Sequence, residues 1–393
     1  MKIVHIITRL ILGGAQENTV LTCLEQARLG HEVVLLTGPP RGPEGSLLEW
    51  VRGMPFRTVL VPAMARAIRP GRDLVAYLDL VKHLREERPD LVHTHSSKAG
   101  VLGQRAAAAV GVPCIVHTIH GLAFDAYTPW PLRLLYRAVE RRAARWSHRL
   151  IAVCRRMAER AAEAGLAPRG AIDVVYSAMD TERFRRAADR RGPVRAGWGV
   201  VEEAFVFLKL ARLAPMKGHE AVLRAFARVA ERRPGTVLVL AGDGPLRPRL
   251  RRLSERLGVA GRVRFLGLVP REDVPAVLGA ADAVVHASLR EGLARVLPQA
   301  GLCGRPVVAY DVGGAAEVVG PDEGGVLLPP PAPGASPQEA AGPLAEAMDR
   351  LAADPEAARA LGRRWNPDRL RPFDYHEATR EILAAYARAR AGL

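Results

Sequence analysis

Two basic residues follow an apolar segment in the second half of the chain, at a spacing that suits a phosphate site. Arg212 and Lys217 lie in LARLAPMKG, after the run FVFLKLA, and Lys217 is one of only five lysines among 57 basic residues. A guanidinium fork matches phosphate oxygens, whereas an ammonium group acts as a compact point charge. The pair therefore predicts a clamp for a diphosphate, and two solvated charges are the alternative.

A carboxylate and an amide lie eight residues apart in LREGLARVLPQA, which follows the apolar run AVVHAS. We predict a helix that starts at Gly292, so that the N–H groups of Gly292, Leu293 and Ala294 form a second anion site. Glu291 would repel phosphate, and its predicted partners are sugar hydroxyls. Gln299, about two turns further along, would face a more distant part of the same ligand.

Glycines follow other apolar runs. In ILGGAQ, Gly13 and Gly14 are expected to take positive φ and to let an anionic ligand approach the start of the next helix, and a plain tight turn is the alternative. The run VRFLGL ends with Gly267 and Leu268, whose backbone groups are suited to reading the edge of a planar base. In AGDGP, Asp243 is predicted to cap the next helix.

Histidines mark the strand ends of the first half. His93 and His95 alternate in VHTH and therefore share one face of a strand. This pattern raises the question of a metal, but no third ligand stands out and we predict no metal site. His120, followed by Gly121, is predicted to face a ligand, and His117 is predicted to be packed within its strand.

Short apolar runs alternate with helical patterns along the chain, as in parallel sheets covered by helices on both faces. The predicted strands are 2–8, 31–38, 90–96, 114–120, 149–154, 171–177, 205–211, 236–242, 263–267, 283–288, 306–311 and the segment VLLPP. The predicted fold class is α/β, with two doubly wound, Rossmann-like parallel-sheet domains in tandem. Ligands of such sheets bind at the C-terminal ends of the strands, and we expect the two sets of strand ends to face each other across a cleft.

The domains are predicted at residues 1–180 and 181–372, with a terminal helical segment at 373–393. The second domain begins with a polar, arginine-rich connector at 181–199. A surface loop rich in proline is predicted at 329–337. The last clear pattern is an amphipathic helix at about 374–389.

Composition and charge argue against several classes of protein. The 393 residues are 49% apolar, and no apolar run reaches the ~20 residues that span a bilayer. The four cysteines are far apart, which fits a cytoplasmic protein and argues against zinc. The net charge of +16 is spread along the chain, which argues against nucleic-acid binding. The basic helix at 133–149 is the best candidate for peripheral contact with an anionic membrane, and a solvated helix face is the alternative.

Six motifs together resemble the retaining glycosyltransferases of the GT-B fold, family 4 (GT4). They occur in the family's order and are GGAQ at 13–16, HGLAF at 120–124, RLAPMKG at 212–218, GDGP at 242–245, LREGLARVLPQA at 289–300 and DVGGAAEVV at 311–319. The stretch VHTHSSKAG at 92–100 resembles the branch that acts in bacterial surface-polysaccharide synthesis. The resemblance implies transfer of a sugar from a nucleotide-diphospho-sugar to a glycan or lipid-linked acceptor. We expect a UDP-sugar in preference to a GDP-sugar. It also implies that the helix in 373–393 crosses back to the first domain.

The resemblance implies roles for individual residues. Arg212 and Lys217 would neutralise the leaving diphosphate, helped by the helix start at Gly292, so that no metal ion or other cofactor is expected. The remaining implied contacts are the base at Gly267 and Leu268, the transferred sugar at Glu291, the ribose at Gln299, the reacting carbon at His120, and the acceptor near Gly14, His95 and Lys98.

The sequence also departs from the family. Gln299 stands where a glutamate is usual, Ser177 and Ala178 replace an Asn-Gly pair, and Gly301 stands in a predicted helix. Two rival hypotheses stay open: a sugar-nucleotide epimerase on the same fold, and a non-catalytic nucleotide-sugar-binding protein, which Gln299 alone favours. A glycogen-type phosphorylase would need a cofactor lysine near the C-terminal end, and no lysine follows Lys217.

Overall fold

The computed structural model of the protein describes residues 1–42, 44–168, 170–186 and 191–393. These residues form two compact units. Unit 1 consists of Met1–Met179 and Pro372–Leu393, and unit 2 consists of Asp180–Arg371. Each unit is built on one parallel β-sheet with helices, so the predicted α/β class and parallel sheets are confirmed.

Unit 1 contains a seven-stranded sheet of order β3-β2-β1-β4-β5-β6-β7. Its strands are β1 Lys2–Ile7, β2 Glu32–Thr37, β3 Arg57–Leu60, β4 Leu91–His95, β5 Cys114–Ile119, β6 Arg149–Ala152 and β7 Ile172–Val174. The helices among them are α1 Gly14–Arg28, α2 Leu48–Val51, α3 Pro70–Glu87, α4 Ser97–Val110, α5 Trp130–Ala144 and α6 Arg155–Glu163. The central strands are buried on both faces, which is why most of their residues are apolar. The buried polar exceptions are His5 of β1 and His93, Thr94 and His95 of β4.

Unit 2 contains a six-stranded sheet of order β10-β9-β8-β11-β12-β13. Its first elements are α7 Thr181–Arg185, α8 Arg191–Gly197, β8 Phe205–Leu210, α9 His219–Arg232, β9 Thr236–Ala241, α10 Arg247–Arg256, β10 Val263–Gly267, α11 Val274–Ala280 and β11 Ala283–His286. The later elements are α12 Val296–Leu302, β12 Val307–Tyr310, α13 Ala315–Val318, β13 Gly325–Leu328, α14 Pro337–Ala353, α15 Pro355–Gly362 and α16 Pro367–Leu370. Short 3-10 turns lie at Ala260–Arg262 and Arg371–Phe373.

The helix α17, Tyr375–Ala391, returns the chain to unit 1. Its N-terminus is capped by Asp374, whose carboxylate accepts the N–H of His376. The inward face of α17 includes Ile382 and the fully buried Tyr386, which pack with Ile3 of β1 and other residues of the sheet. No helix of the described ranges has the length and apolar character needed to cross a membrane.

In each sheet the strand order reverses at one point. The first strand of unit 1, β1, lies between β2 and β4, and the first strand of unit 2, β8, lies between β9 and β11. At these points the connections that follow neighbouring strands turn to opposite sides of the sheet. This opens a crevice at the C-terminal strand ends, where ligands of such sheets bind. The loops after β1, β4, β8 and β11 are therefore the places where functional residues are expected.

Two parts of the chain differ from the sequence prediction. The edge strand β3 was not predicted, because its four residues are only partly buried and lack a continuous apolar run. The connector at 181–199 begins and ends in the helices α7 and α8, and its residues 187–190 lie outside the described residues. Arg195 of this connector is fully buried and pairs with Asp282 at 2.5 Å. Because Asp282 is also buried, its charge would be costly without this partner.

Candidate active site

The loops after β8 and β11 are fastened to each other. The N–H of Leu289 donates to the carbonyl of Met216 at 2.8 Å. Gly218 has φ +68°, and a Cβ there would lie 1.9 Å from the carbonyl oxygen of Ala287, so only glycine permits this approach. The two loops at the reversal point of the sheet therefore present their side chains side by side.

Lys217 and Glu291, one from each loop, form an ion pair. Lys217 Nζ lies 2.6 Å from Glu291 Oε1, and His286 Nε2 lies 3.3 Å from the same oxygen. Burial alone would raise the pKa of Glu291, but the contacts with His286 and Lys217 outweigh it and hold that pKa well below its usual range. Glu291 is thus ionised at physiological pH and can only accept hydrogen bonds.

Arg212 lies on the same loop as Lys217, directly after β8, as the sequence predicts. Its carbonyl oxygen accepts a hydrogen bond from Nε2 of His219, the first residue of α9, at 2.8 Å. This bond closes the loop and fixes the neutral His219 as its Nε2–H tautomer. Burial and the charge of Lys209 lower the pKa of His219 to about 3, so the ring stays neutral.

Lys209 and His286 are residues of this cluster that sequence reasoning missed. Lys209 lies inside β8, is fully buried, and its ammonium group has no hydrogen-bond partner among the described residues. Burial and the charge of Lys217 lower its pKa to about 7, and Glu291 offsets part of that shift. The signal was present in the sequence, since both residues interrupt apolar strands, FVFLKLA and AVVHAS.

The predicted helix start at Gly292 is wrong. The helix α12 begins at Val296, so Gly292, Leu293 and Ala294 precede it and form no helix N-terminus. The reason is a contact with the DVGG turn, where the N–H of Gly314 donates to the carbonyl of Gly292 at 2.9 Å. That bond holds the backbone of Gly292 in an irregular loop.

The turn after β12 requires glycine. Gly313 has φ +60°, and a Cβ there would lie 2.3 Å from the carbonyl oxygen of Gly292. The glycine pair Gly313-Gly314 therefore supports the loop that carries Glu291. Glu317 lies in the first turn of α13.

Gln299 lies in the middle of α12, and its side chain is 8% exposed. The same helix contains Gly301, which the sequence marked as unfavourable. A Cβ at Gly301 would lie 2.8 Å from the ring of Trp365, whose Nε1–H donates to the carbonyl of Arg305. Gly301 is therefore required by the packing of this tryptophan, and its presence says nothing against a working site.

Gly267 and Leu268 end β10. Gly267 has φ +75°, and its carbonyl accepts the N–H of Gly242 at 2.8 Å. Leu268 is 44% exposed beside this turn. The prediction that Asp243 caps α10 is wrong: the helix begins at Arg247, and Asp243 instead accepts the N–H of Gly244 and pairs with the guanidinium of Arg247 at 2.8 Å.

In unit 1, the loop after β1 leads into α1 at Gly14. The expectation of positive φ at Gly13 and Gly14 is wrong, since Gly13 has φ −171° and neither glycine lies in the left-handed region. The φ of Gly13 is extended backbone that any residue adopts. A Cβ at Gly13 would instead meet Oε1 of Gln16 at 2.5 Å, so the glycine leaves room for a side chain of α1.

The expectation that no third ligand accompanies His93 and His95 is also wrong, because His5 of β1 joins them. Ring nitrogens of the three histidines lie within 4.8 Å of one another. Every one of their six nitrogens is already hydrogen-bonded, to the histidines themselves or to neighbouring polar side chains. The arrangement is therefore a satisfied polar network in the core.

His120 follows β5 and is half-buried, with its Nε2 3.2 Å from Nδ1 of His95. His95 itself is fully buried. The position of the acceptor near His95 stays a prediction. His117 is packed in its strand as predicted, with Nδ1 2.9 Å from the hydroxyl of Thr94. Lys98 forms an ion pair with Asp73 at 2.5 Å.

Known proteins match both units. A family profile described as Glycosyltransferase Family 4 matches residues 12–183, and one described as Glycosyl transferases group 1 matches residues 192–365. The UDP-Gal:alpha-D-GlcNAc-diphosphoundecaprenol alpha-1,3-galactosyltransferase of Escherichia coli is 33% identical over 66% of this chain and 67% of its own. The 2-deoxystreptamine glucosyltransferase of Streptomyces kanamyceticus is 32% identical over 80% of this chain and 81% of its own.

Solved structures share the fold. HepE of Anabaena, in complex with UDP and glucose, superposes with a TM-score of 0.81 at 24% identity, covering 99% of this chain and 100% of its own. Sucrose-phosphate synthase of Thermosynechococcus elongatus gives 0.82 at 22% identity, covering 100% of both chains. The two parallel-sheet units thus make up the GT-B fold of glycosyltransferases. The chain belongs to glycosyltransferase family 4.

Proposed function

We propose that this glycosyltransferase moves a sugar from a nucleotide-diphospho-sugar, UDP-linked in preference to GDP-linked, to a glycan or lipid-linked acceptor in cell-surface polysaccharide synthesis. Transfer retains the anomeric configuration and uses no metal ion. The observation that carries the proposal is the cluster of Lys217, Glu291, His286 and Lys209 where the sheet of unit 2 reverses its order.

The charges of this cluster suit a diphosphate. Arg212 and Lys217 lie on the loop after β8 and Lys209 lies within β8, so three basic residues accompany one ionised carboxylate, Glu291. Lys217 has three N–H donors, and its bond to Glu291 uses one of them. Negative charge grows on the leaving diphosphate as the glycosidic bond breaks, so these cations bind the transition state more tightly than the ground state. We propose that they do the work of a metal ion.

In this proposal Glu291 accepts hydrogen bonds from hydroxyls of the transferred sugar. Its carboxylate is held by Lys217 and His286 and has remaining lone pairs for hydroxyl donors. Gln299 would accept from the ribose, and Gly267 and Leu268 would lie against the base. The resemblance to the family and the position of each residue in unit 2 support these roles.

The names of similar proteins support the donor and the acceptor. The E. coli relative is named for UDP-galactose and a diphosphoundecaprenol-linked sugar, and HepE was solved with UDP-glucose. Other relatives are named for 2-deoxystreptamine and for D-inositol 3-phosphate. We place this chain with the lipid-linked acceptors because the VHTHSSKAG stretch resembles the polysaccharide branch.

We further propose that α5 docks on the cytoplasmic face of an anionic membrane. The helix exposes large apolar side chains, namely Trp130, Leu132, Leu134, Leu135 and Val139. Exposed arginines accompany them at 133, 141 and 142. Its one acidic residue, Glu140, is turned towards the protein and accepts the N–H of Ala123. An apolar and basic surface of this kind combines insertion between headgroups with attraction to anionic lipid, ~1 kcal/mol per basic residue.

The transfer assay supplies the purified protein with UDP-sugars or GDP-sugars and with a polyprenyl-diphosphate-linked sugar, 2-deoxystreptamine or inositol 3-phosphate, with and without EDTA. We expect a product from a UDP-sugar and the lipid-linked acceptor, with the donor's anomeric configuration by NMR and unchanged by EDTA. Glycosylation of 2-deoxystreptamine alone would overturn the acceptor assignment. Donor binding without any product, or conversion of the UDP-sugar to its epimer, would favour the rival hypotheses.

Vesicle sedimentation tests the docking of α5. We expect binding to vesicles with phosphatidylglycerol and little binding to pure phosphatidylcholine. Replacing Leu134 and Leu135 by glutamate should weaken binding more than tenfold. The matched control replaces Leu74 and Leu78, equally exposed on α3, by glutamate and should leave binding nearly unchanged. Equal losses in both variants would contradict the assignment to α5.

A further inference from the structure

A chain of hydrogen bonds leads from His120 into the core of unit 1. His120 Nε2 lies 3.2 Å from His95 Nδ1, and His95 Nε2 lies 3.0 Å from His5 Nδ1. His5 Nε2 lies 2.8 Å from Oε1 of Gln26. His5, His95 and Gln26 are all fully buried.

The amide at the inner end fixes the direction of every bond in this chain. Oε1 of Gln26 can only accept, so His5 must donate from Nε2. The neutral His5 then accepts at Nδ1, which makes His95 donate from Nε2 and accept at Nδ1. His120 must in turn donate from Nε2, and its Nδ1 becomes the acceptor nitrogen of the neutral ring.

A second branch from the same amide has the same direction. Nε2 of Gln26 donates to the hydroxyl of Tyr386 at 3.2 Å, and this hydroxyl donates to His93 Nδ1 at 2.6 Å. His93 then donates from Nε2 to the hydroxyl of Thr118 at 2.7 Å. Both branches are satisfied only when all four histidines carry their proton on Nε2.

The inner histidines do not carry protons away from the site. Burial lowers the pKa of His5 to about 4 and holds that of His95 well below its ordinary value, so both rings stay neutral near pH 7. The chain also ends at an amide, which takes up no proton. Its physical effect is to select one tautomer and one ring orientation, as a buried partner does for a functional histidine elsewhere.

We propose that Gln26, acting through His5 and His95, is the positioning residue that fixes His120 as its Nε2–H tautomer and so presents Nδ1 as a hydrogen-bond acceptor for a sugar hydroxyl. The sugar end of this inference rests on the proposed function. The tautomer is a property of unit 1 and is measured without substrate.

The decisive measurement is long-range proton–nitrogen NMR of the full chain labelled with ¹⁵N-histidine, which tells a protonated ring nitrogen from an unprotonated one. We expect His5, His93, His95 and His120 all in the Nε2–H form at pH 7. The opposite amide orientation would reverse every bond and put all four in the Nδ1–H form. That result, or a mixture of tautomers at His120, would overturn the inference.

Substitutions at Gln26 separate positioning from simple packing. Gln26→Glu keeps an acceptor for His5 but offers no donor to Tyr386, so His120 should stay Nε2–H while His93 changes to Nδ1–H. Gln26→Met removes the acceptor, and His120 should then populate both tautomers. The matched control is Gln104→Met. Gln104 is another buried amide of unit 1, but it takes no part in these hydrogen bonds, so its loss should leave the tautomers of all four histidines unchanged.

Kinetics give the functional readout. We expect Gln26→Met to lower kcat about tenfold, with the donor KM unchanged, because one oriented hydrogen bond is lost. Gln26→Glu should restore most of kcat. The same loss of kcat in Gln26→Glu and Gln26→Met would contradict a positioning role. An enzyme with the expected tautomers but no transfer activity would leave the tautomer assignment standing and refute the proposed function instead.

Discussion

Replacing Lys209 by methionine should stabilise unit 2, and the gain should shrink as the pH rises. Lys209 is fully buried and its ammonium group has no hydrogen-bond partner among the described residues. Methionine has a similar length and needs no solvation. The substitution therefore removes a buried charge that Glu291 compensates only in part, without opening a large cavity.

The size of the effect follows from the pKa. A folded pKa of about 7 against 10.5 for an ordinary lysine makes burial of this group cost about 4 kcal/mol at pH 7 and about 2 kcal/mol at pH 9. Relaxation and water penetration reduce such penalties, so we expect gains of about 2 and about 1 kcal/mol. Because the folded pKa lies below the unfolded one, wild-type stability rises with pH between about 7 and 10.5, and the full cost applies below pH 7.

Pulse proteolysis in urea at pH 6, 7, 8 and 9 measures the difference in the free energy of unfolding between Lys209→Met and wild type. Peptides of unit 2 are followed by mass spectrometry. Lys82→Met serves as the control, since the side chain of Lys82 is 74% exposed and its loss should change stability by less than about 0.5 kcal/mol. The reasoning is refuted if Lys209→Met is less stable than wild type at pH 7, or if the difference between the two proteins does not change with pH.

Three further predictions concern the site. Lys217→Ala should lower kcat/KM about a hundredfold, and Lys82→Ala should leave it unchanged in the same transfer assay. Gln299→Glu should lower the donor KM by at most about tenfold, because a carboxylate makes a charge-assisted bond to ribose, and an unchanged KM would remove the ribose assignment. Gly304→Ala should cost about 1 kcal/mol for its φ of +65° alone. Gly313→Ala should cost more and also lower kcat/KM, because its Cβ meets a backbone oxygen of the loop after β11, and equal stabilities of the two variants would contradict this.

The sheets could be predicted from the sequence because parallel strands covered on both faces are continuous apolar runs. The edge strand β3 lacks such a run and escaped prediction. The position of Lys217 and Glu291 near strand ends also followed from the alternation of strands and helices. Their direct contact did not, because it depends on hydrogen bonds between loops 74 residues apart in the chain.

Other features depended on partners that a local pattern does not contain. The start of α12 was misplaced because the carbonyl of Gly292 is bonded by Gly314 of a later turn. His5 looked like one polar residue in an apolar strand, and its partner His95 lies 90 residues away. Lys209 stands out in the sequence as a charge within an apolar run, but the run does not show that Lys217 and Glu291 surround its ammonium group. In each case the missing information was the register between distant segments.

The place of α17 in the sequence has a consequence for protein synthesis. Residues 1–179 leave the ribosome before any of unit 2, and α17 follows only after unit 2 has been made. Until then the hydroxyl of Tyr386 is missing from Gln26 and His93, and the cluster around Ile3 lacks Ile382 and Tyr386. A chain interrupted before α17 would thus carry a formed unit 2 beside an unfinished unit 1. The hydrogen bonds that orient Gln26, and through His5 and His95 also His120, are therefore complete only after α17 has been made.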